Sequence, residues 1–269
     1  MHRAAIGIFD SGIGGLTVAA EISRRCPAED VIYLGDTARL PYGTRSPRTV
    51  ARYAEKAASA LLQYPIKMLV VACNTASAYA LDHLRALTDV PVLGVIEPGA
   101  RAAVQASPNG HIGIAGTAGT IASGAYKEAI LKERADARIV QMPWPLLVSL
   151  AEEGWTDNQV ARLTIATYLE TFVEAKIDTL VLGCTHYPIF KRTIQEVLDA
   201  EFHGAEIQLI DSAEAVTDDL LALLEQNTWQ APARVGRRTF LCTDAPERFG
   251  RVGATFFSEE LPGVRTIDL

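Results

Sequence analysis

Short apolar runs rich in valine, isoleucine and leucine alternate along this chain with longer stretches of helical periodicity, and this alternation restricts the possible folds more than any other feature. The run at residues 68–72 contains no polar position, as is typical of a strand that helices cover on both faces. Strands that alternate with helices form βαβ units and parallel sheets. The sequence therefore predicts an α/β protein with strands at residues 4–9, 31–34, 68–72, 92–95, 112–115, 179–182 and 207–210.

Two of these segments occur twice in the chain, in the same order. Residues 6–12 resemble residues 112–118, and residues 69–75 resemble residues 180–186. Each copy is a strand that leads into a short turn and then into a helix. Because the order is retained, we expect two related α/β units that face each other about a pseudo-twofold axis.

We expect the chain to cross between these units twice. Pro98 disfavours a helical residue before it and Gly99 permits a change of direction, which indicates a first crossing there. A return crossing is expected near Asp211. The remainder offers a helix at 213–226, a strand at 238–242 and a short terminal strand, too little for a third core. The prediction is a first domain of residues 1–97 plus 210–269 and a second domain of residues 98–209.

Composition argues against several classes of function. The formal net charge is −7 and the basic residues are scattered, so the electrostatic field opposes nucleic acid. The sequence shows neither a secretory signal nor an apolar segment of membrane-spanning length, so we expect a cytoplasmic protein. Its four cysteines form no Cys-x-x-Cys pair, which argues against a zinc site or a disulfide framework.

Cys73 and Cys184 each follow a buried strand directly and precede a helix. Ligands of open α/β sheets bind outside the carboxyl ends of the strands. A helix N-terminus offers unpaired N–H groups and a partial positive charge, which favours a thiolate and attracts a carboxylate. Free cysteine is often a small core residue, and that interpretation explains either residue alone equally well. The context that the two share indicates reactive thiols.

A pseudo-twofold axis would bring these two thiols to opposite walls of one cleft. A carbon that bears an acidic C–H is inverted when a thiolate removes the proton from one face and a thiol supplies another from the opposite face. The reaction needs one base and one acid that exchange roles with direction. The sequence therefore indicates racemisation of a small molecule.

Further polar residues follow the strands at the same edge. Asp10 and Ser11 open a glycine-rich turn, where Asp10 is placed to accept a hydrogen bond from a substrate ammonium or to tune Cys73. The turn lacks the last glycine of a dinucleotide-binding motif, so a tight turn around a small ligand is favoured.

His186 is placed to move a proton on or off the thiol of Cys184, and its alternative is a histidine that hydrogen-bonds the backbone. The residue types that bind metals do not occur at the spacings typical of a metal site, so no metal site is predicted.

Groups able to hold two carboxylates and one ammonium lie near these turns. They are hydroxyls, an amide and backbone N–H groups. The residues concerned are Tyr42, Gly43, Asn74, Thr75 and Thr185, with Thr117 and Thr120 as further candidates at the turn of the second unit. Because serine, threonine and asparagine are favoured at helix caps for their own sake, capping is the alternative for each of them.

The chain resembles the glutamate racemase family of the cofactor-independent amino-acid racemases over nearly its whole length. The segments that carry the resemblance are residues 7–15, 33–39, 41–43, 72–77, 94–100, 116–117, 183–188 and 210–212. The resemblance implies two flavodoxin-like domains with the active site in the cleft between them. It also implies a reaction without pyridoxal phosphate, flavin, nucleotide or metal, and a homodimer.

The resemblance implies roles for individual residues. Cys184 would act on L-glutamate and Cys73 on D-glutamate, which enters peptidoglycan synthesis. A catalytic glutamate on a helix of the second unit corresponds to Glu152, but Trp144 and Ser149 depart from the family pattern nearby, so Glu153 stays an alternative. The implied substrate contacts are Asp10, Ser11, Tyr42, Gly43, Asn74, Thr75, Thr117, Thr185 and His186.

Three alternatives remain open. A racemase for aspartate or another acidic amino acid would have the same architecture, and turnover of purified enantiomers separates the two. A thiol-dependent hydrolase or lyase would need one cysteine with His186 and would yield a chemically changed product. A module that only binds an amino acid is the third, since a fold alone does not fix a function.

Overall fold

The computed structural model describes residues 4–257 and 259–269. Its strands are β1 (Ala5–Asp10), β2 (Val31–Gly35), β3 (Ile66–Val71), β4 (Val92–Gly94), β5 (His111–Gly116), β6 (Arg138–Pro143), β7 (Thr179–Gly183), β8 (Gln208–Asp211), β9 (Arg238–Cys242) and β10 (Arg265–Thr266). Its helices are α1 (Leu16–Arg25), α2 (Pro47–Leu61), α3 (Asn74–Leu87), α4 (Ile96–Ala106), α5 (Ala118–Ser123), α6 (Ala125–Glu133), α7 (Pro145–Glu152), α8 (Gln159–Glu174), α9 (Lys191–Glu201), α10 (Ser212–Gln226) and α11 (Pro246–Phe257). Short 3-10 turns lie at Tyr42–Thr44 and Tyr187–Phe190.

The strands form two parallel sheets, as the alternating pattern predicted. The first has the order β10-β9-β2-β1-β3-β4 and the second the order β6-β5-β7-β8. We call the parts of the chain built on them the first unit and the second unit. The order β2-β1-β3-β4 in the first matches β6-β5-β7-β8 in the second, which confirms the repeated α/β architecture. The arrangement is flavodoxin-like because the first strand of each repeat lies between the second and the third.

The register of the first sheet brings the candidate residues to one edge. Phe9 lies opposite Leu34 on β2 and Val71 on β3. Asp10 and Cys73 therefore leave neighbouring strands side by side. In the second unit Gly116 lies opposite Gly183, so Thr117 and Cys184 follow in the same way.

Burial explains why the central strands were predictable. Every residue of β1, β3 and β7 is buried, and most of these residues are apolar, as expected for strands that helices cover on both faces. Strand β6 was not predicted because it lies at a sheet edge, is only half-buried and carries polar residues. Within the described ranges, no helix is both long and apolar enough to cross a membrane.

Pro98 and Gly99, near which the first crossing was predicted, lie in the first turn of α4. Proline is tolerated there because the N–H groups of a first helical turn have no partner within the helix. Strand β8 keeps residues up to Asp211 in the second sheet. The sequence predicted domains of 1–97 plus 210–269 and 98–209, and because of β8 we propose that the second domain extends to residue 211; residues 1–3 lie outside the described residues.

Candidate active site

One narrow cavity is lined by both cysteines and by residues of both units. Its lining consists of Ser11, Pro41, Tyr42, Gly43, Cys73, Asn74, Thr75, Thr117, Val148, Cys184, Thr185 and His186. All of these except Val148 were singled out in the sequence or lie in its family-like segments. Asp10 and Glu152, the two remaining predicted residues, lie directly behind this lining and hydrogen-bond Thr185 and His186.

Cys73 occupies the N-cap position of α3 and is 5% exposed. Its thiol donates a hydrogen bond to Ser11 Oγ at 3.7 Å. Burial, and to a lesser extent the nearby Asp10 carboxylate, raise the pKa of the Cys73 thiol to about 12. The hydrogen bond from the Ala76 N–H and the side-chain hydrogen bond with Ser11 act in the opposite direction but are weaker. The helix terminus thus favours the thiolate through the Ala76 N–H, as expected, but desolvation outweighs this effect at Cys73.

Cys184 occupies the equivalent position after β7 and begins a line of polar contacts. Its Sγ lies 3.8 Å from Nδ1 of His186. Nε2 of the same imidazole lies 3.3 Å from Glu152 Oε1. Glu152 is the glutamate that reaches the site, since its side chain is 13% exposed whereas that of Glu153 is 69% exposed. The arrangement connects the thiol to a carboxylate through one imidazole.

The charges in this line stabilise one another. Burial opposes the imidazolium of His186, but hydrogen bonds to Cys184 and Glu152 outweigh burial and raise its pKa to about 10. Burial also opposes the Glu152 carboxylate, but the hydrogen bond and charge of His186 and the charge of Arg248 hold its pKa below the usual range. His186 is thus an imidazolium at neutral pH, placed to stabilise a thiolate on Cys184.

Asp10 connects the turn after β1 to the turn that carries Cys184. It is fully buried, and its carboxylate accepts a hydrogen bond from the Gly12 N–H at 3.0 Å and from the Thr185 hydroxyl at 3.4 Å. Burial raises its pKa, while the charge of His186 and backbone N–H groups partly offset the effect. A buried carboxylate of this kind is suited to receive a cation.

Asn74 presents an unused donor at the cavity. Its Oδ1 accepts a hydrogen bond from the Tyr126 hydroxyl at 2.7 Å. Its Nδ2 is buried and has no hydrogen-bond partner among the residues that the structure describes. Because such groups are costly to leave unpaired, this amide is prepared to donate to a ligand oxygen.

The hydroxyl groups that line the cavity differ in the hydrogen bonds that they already make. Tyr42 donates to Asp36 Oδ2 at 2.6 Å, so its own proton is engaged. Thr75 of the first unit lies within 3.1 Å of the hydroxyls of Thr117 and Thr120 of the second. The sequence indicated Thr120 only as a further candidate, and it lies behind the cavity as the third member of this group.

Two glycines allow the units to approach. A Cβ on Gly14 would lie 2.5 Å from Nδ1 of His186, and one on Gly43 would lie 2.6 Å from Cβ of Thr117. Both distances are too short for any other residue, so the glycine-rich turn serves close packing against the second unit. Among the described residues, no cluster of three or more His, Cys, Asp or Glu side chains has the arrangement of a metal site.

The chain is similar to known proteins over its full length. A family model described as Asp/Glu/hydantoin racemase matches residues 6–220. A glutamate racemase of Geobacter metallireducens is 50% identical over 270 aligned residues, which cover 100% of this chain and 98% of that protein. The crystal structure of a glutamate racemase from Bacillus anthracis has a TM-score of 0.94 at 35% identity, covering 100% of this chain and 99% of that one. The crystal structure of a Francisella tularensis glutamate racemase in complex with D-glutamate has a TM-score of 0.91 at 34% identity, covering 100% of this chain and 98% of that one.

Proposed function

The chain belongs to the Asp/Glu/hydantoin racemase family, and from this membership and the geometry of the site we propose that it interconverts L-glutamate and D-glutamate by two-base proton transfer. It is an isomerase, since its full-length relatives are glutamate racemases. One observation carries the mechanism: Cys73 and Cys184 follow equivalent strands of the repeat and line the same cavity.

In the direction from L-glutamate, Cys184 is the base and Cys73 the acid. The His186 imidazolium stabilises the thiolate of Cys184, and this thiolate removes the proton from Cα. The electron pair of the broken C–H bond stays on Cα and spreads into the adjacent carboxylate. The Cys73 thiol, whose raised pKa keeps it protonated, then delivers its proton to the opposite face. Cys184 is left as a thiol and Cys73 as a thiolate, which is the state required for D-glutamate.

The difficult step is formation of the carbanion beside a carboxylate. Both thiols are buried, so water does not compete with the C–H bond of the substrate for them. The turns that carry the thiols fix the direction in which each one faces the substrate. Donors placed around the carboxylate stabilise the charge as it grows. Asn74 Nδ2 and the N–H groups of the first turn of α3 are such donors.

Asp10 receives the ammonium group of the substrate. A cation beside this carboxylate cancels the charge that raises the pKa of Cys73. Substrate binding therefore makes Cys73 easier to deprotonate when D-glutamate is the substrate. Thr75, Thr117 and Thr185 surround the remaining polar groups of the amino acid.

We further propose that the enzyme works in the cytoplasm as a homodimer and that its D-glutamate supplies peptidoglycan synthesis, as the family resemblance implies. The mass of the purified protein in solution tests the dimer. A monomeric mass at the concentration of an activity assay would contradict it.

The activity is tested by incubating the purified protein separately with L-glutamate, D-glutamate and L-aspartate and separating the products on a chiral column. The proposal predicts that either glutamate enantiomer yields an equal mixture of both. Faster conversion of aspartate would favour the aspartate racemase, and a product of altered mass would favour the hydrolase or lyase.

A further inference from the structure

In the second unit, Cys184, His186 and Glu152 form a line of polar contacts. Helix α11 of the first unit contacts this line at two points. The ring of Phe256 lies edge-on to the ring of His186, with centroids 5.6 Å apart. Nη2 of Arg248 lies 3.5 Å from Glu152 Oε2. Because α11 follows β9 and packs against α1, both contacts cross from the first unit to the second.

The two oxygens of Glu152 have different partners. Oε1 faces Nε2 of His186, and Oε2 faces Arg248. Rotation of the carboxylate would therefore break one contact or the other. The guanidinium of Arg248 also lies 3.7 Å from Glu153 Oε1, which draws it towards the same end of α7.

We propose that Arg248 is a positioning residue for proton transfer at Cys184, because from the first unit it holds Glu152 of the second unit against His186. The inference rests on the proposed function. Neither thiol is among the contacts of Arg248 that the structure describes, so it acts through Glu152.

The charged surroundings determine what removal of Arg248 changes. His186 is faced by Cys184, Glu152 and Asp10. Arg248 is faced by Glu152 and Glu153, and Asp244 lines the same small cavity as Arg248. Without the guanidinium, Glu152 loses a neighbouring positive charge and becomes easier to protonate. The acid limb of the pH profile should then move to higher pH.

The test uses enzymes that keep a single thiol. Cys73→Ala retains the thiol proposed to act on L-glutamate, and Cys184→Ala retains the other. Exchange of the Cα hydrogen in deuterated water is followed by proton NMR. Adding Arg248→Gln to Cys73→Ala is expected to slow exchange of L-glutamate about two- to fivefold, the range for one partly exposed ion pair. Added to Cys184→Ala, it is expected to leave exchange of D-glutamate unchanged.

Two further variants separate positioning from general loosening. Arg248→Lys keeps the charge, so the acid limb should stay where it is in the parent, whereas Arg248→Gln should move it to higher pH. Arg251→Gln removes an exposed arginine of the same helix. It should change neither the exchange rate of L-glutamate nor the acid limb of the pH profile.

The outcomes are distinguishable. Equal slowing of both exchange reactions, or an unmoved acid limb in Arg248→Gln, would overturn the role of Arg248. If Cys73→Ala exchanged neither enantiomer, the two-thiol mechanism itself would fail, and the inference with it.

Discussion

At the scale of single residues, the two cysteines occupy matching places but different surroundings. Burial and the nearby Asp10 carboxylate raise the pKa of Cys73, so its thiol is protonated. Cys184 lies beside the His186 imidazolium. We therefore propose that the ligand-free site holds its acid at Cys73 and its base at Cys184, the state required for L-glutamate.

The effect of Asp10 on Cys73 predicts a titration. Asp10→Asn removes a negative charge beside the thiol, so the pKa of Cys73 should fall below about 12. The titration of the Cys73 thiol is measured from the thiolate absorbance as a function of pH. The absorbance of the matching protein that also carries Cys73→Ala is subtracted. Ser11→Ala is a control of opposite sign, because loss of its hydrogen bond should raise the pKa. An unchanged titration in Asp10→Asn would contradict the coupling.

The unpaired amide of Asn74 predicts a binding defect. Asn74→Asp keeps the oxygen that accepts from Tyr126 and replaces the donor with an acceptor, so kcat/KM should fall about 10- to 100-fold, chiefly through KM. The fall must be the same in both directions because the enantiomers have equal free energies in water. Tyr126→Phe leaves the donor in place and should have a smaller effect. A normal KM in Asn74→Asp would show that this amide does not bind substrate.

At the scale of elements, catalysis depends on turns that pack against each other without side chains between them. The turn after β1 contacts the turn after β7 through Gly14, whose carbonyl accepts from Thr17. Thr17 also donates to the carbonyl of Thr185 at 3.2 Å. The position of His186 is thus set by the first unit as well as by its own strand.

Gly14→Ala tests this close packing. The new methyl group would lie 2.5 Å from His186 Nδ1 and 2.6 Å from Thr185 Oγ1, so the catalytic turn must move. We expect kcat to fall about 10- to 100-fold, as displacements of this size do in other enzymes. Gly12→Ala is the matched control, since its methyl group would meet only Leu40 at an ordinary 3.4 Å. Equal activity of the two variants, with thermal midpoints confirming folding, would count against this explanation.

At the scale of the whole molecule, the site exists only where the two units meet. The cavity as described has room for about two water molecules, much less than an amino acid needs. We therefore expect the units to separate to admit glutamate and to close again around it. Closure would restore the threonine contacts between Thr75 and Thr117.

A ligand held between two units should stabilise the whole fold. D-Glutamate at 100 times its dissociation constant is expected to add about 2.7 kcal/mol to the free energy of unfolding. Thermal unfolding with increasing D-glutamate measures this, and Asn74→Asp should need more ligand for the same shift. An equal rise in midpoint with L-aspartate at the same concentrations would contradict selectivity for glutamate.

Much of this arrangement was predictable from the sequence because its signals are local. The strand predicted at 238–242 coincides with β9, and the helix predicted at 213–226 matches α10 to within one residue. Residues placed just after strands come together because parallel strands end at a common edge. Repetition of the cysteine turn indicated a shared cleft for the same reason.

What could not be predicted depends on contacts between distant segments. No local pattern marks Arg248, because its ion pairs with Glu152 and Glu153 join segments that are far apart in the sequence. The raised pKa of Cys73 results from the depth of its burial and from Asp10, neither of which the helix terminus reveals. Strand β6 was missed because an edge strand does not need an apolar sequence.

The most direct test of the central claim is the pattern of Cα hydrogen exchange in deuterated water for the two single-thiol enzymes. If one thiol serves each face of Cα, Cys73→Ala should exchange L-glutamate but not D-glutamate, and Cys184→Ala should exchange D-glutamate but not L-glutamate, with no racemisation by either. Near-normal racemisation by one of these variants, or exchange of both enantiomers by the same variant, would contradict the account.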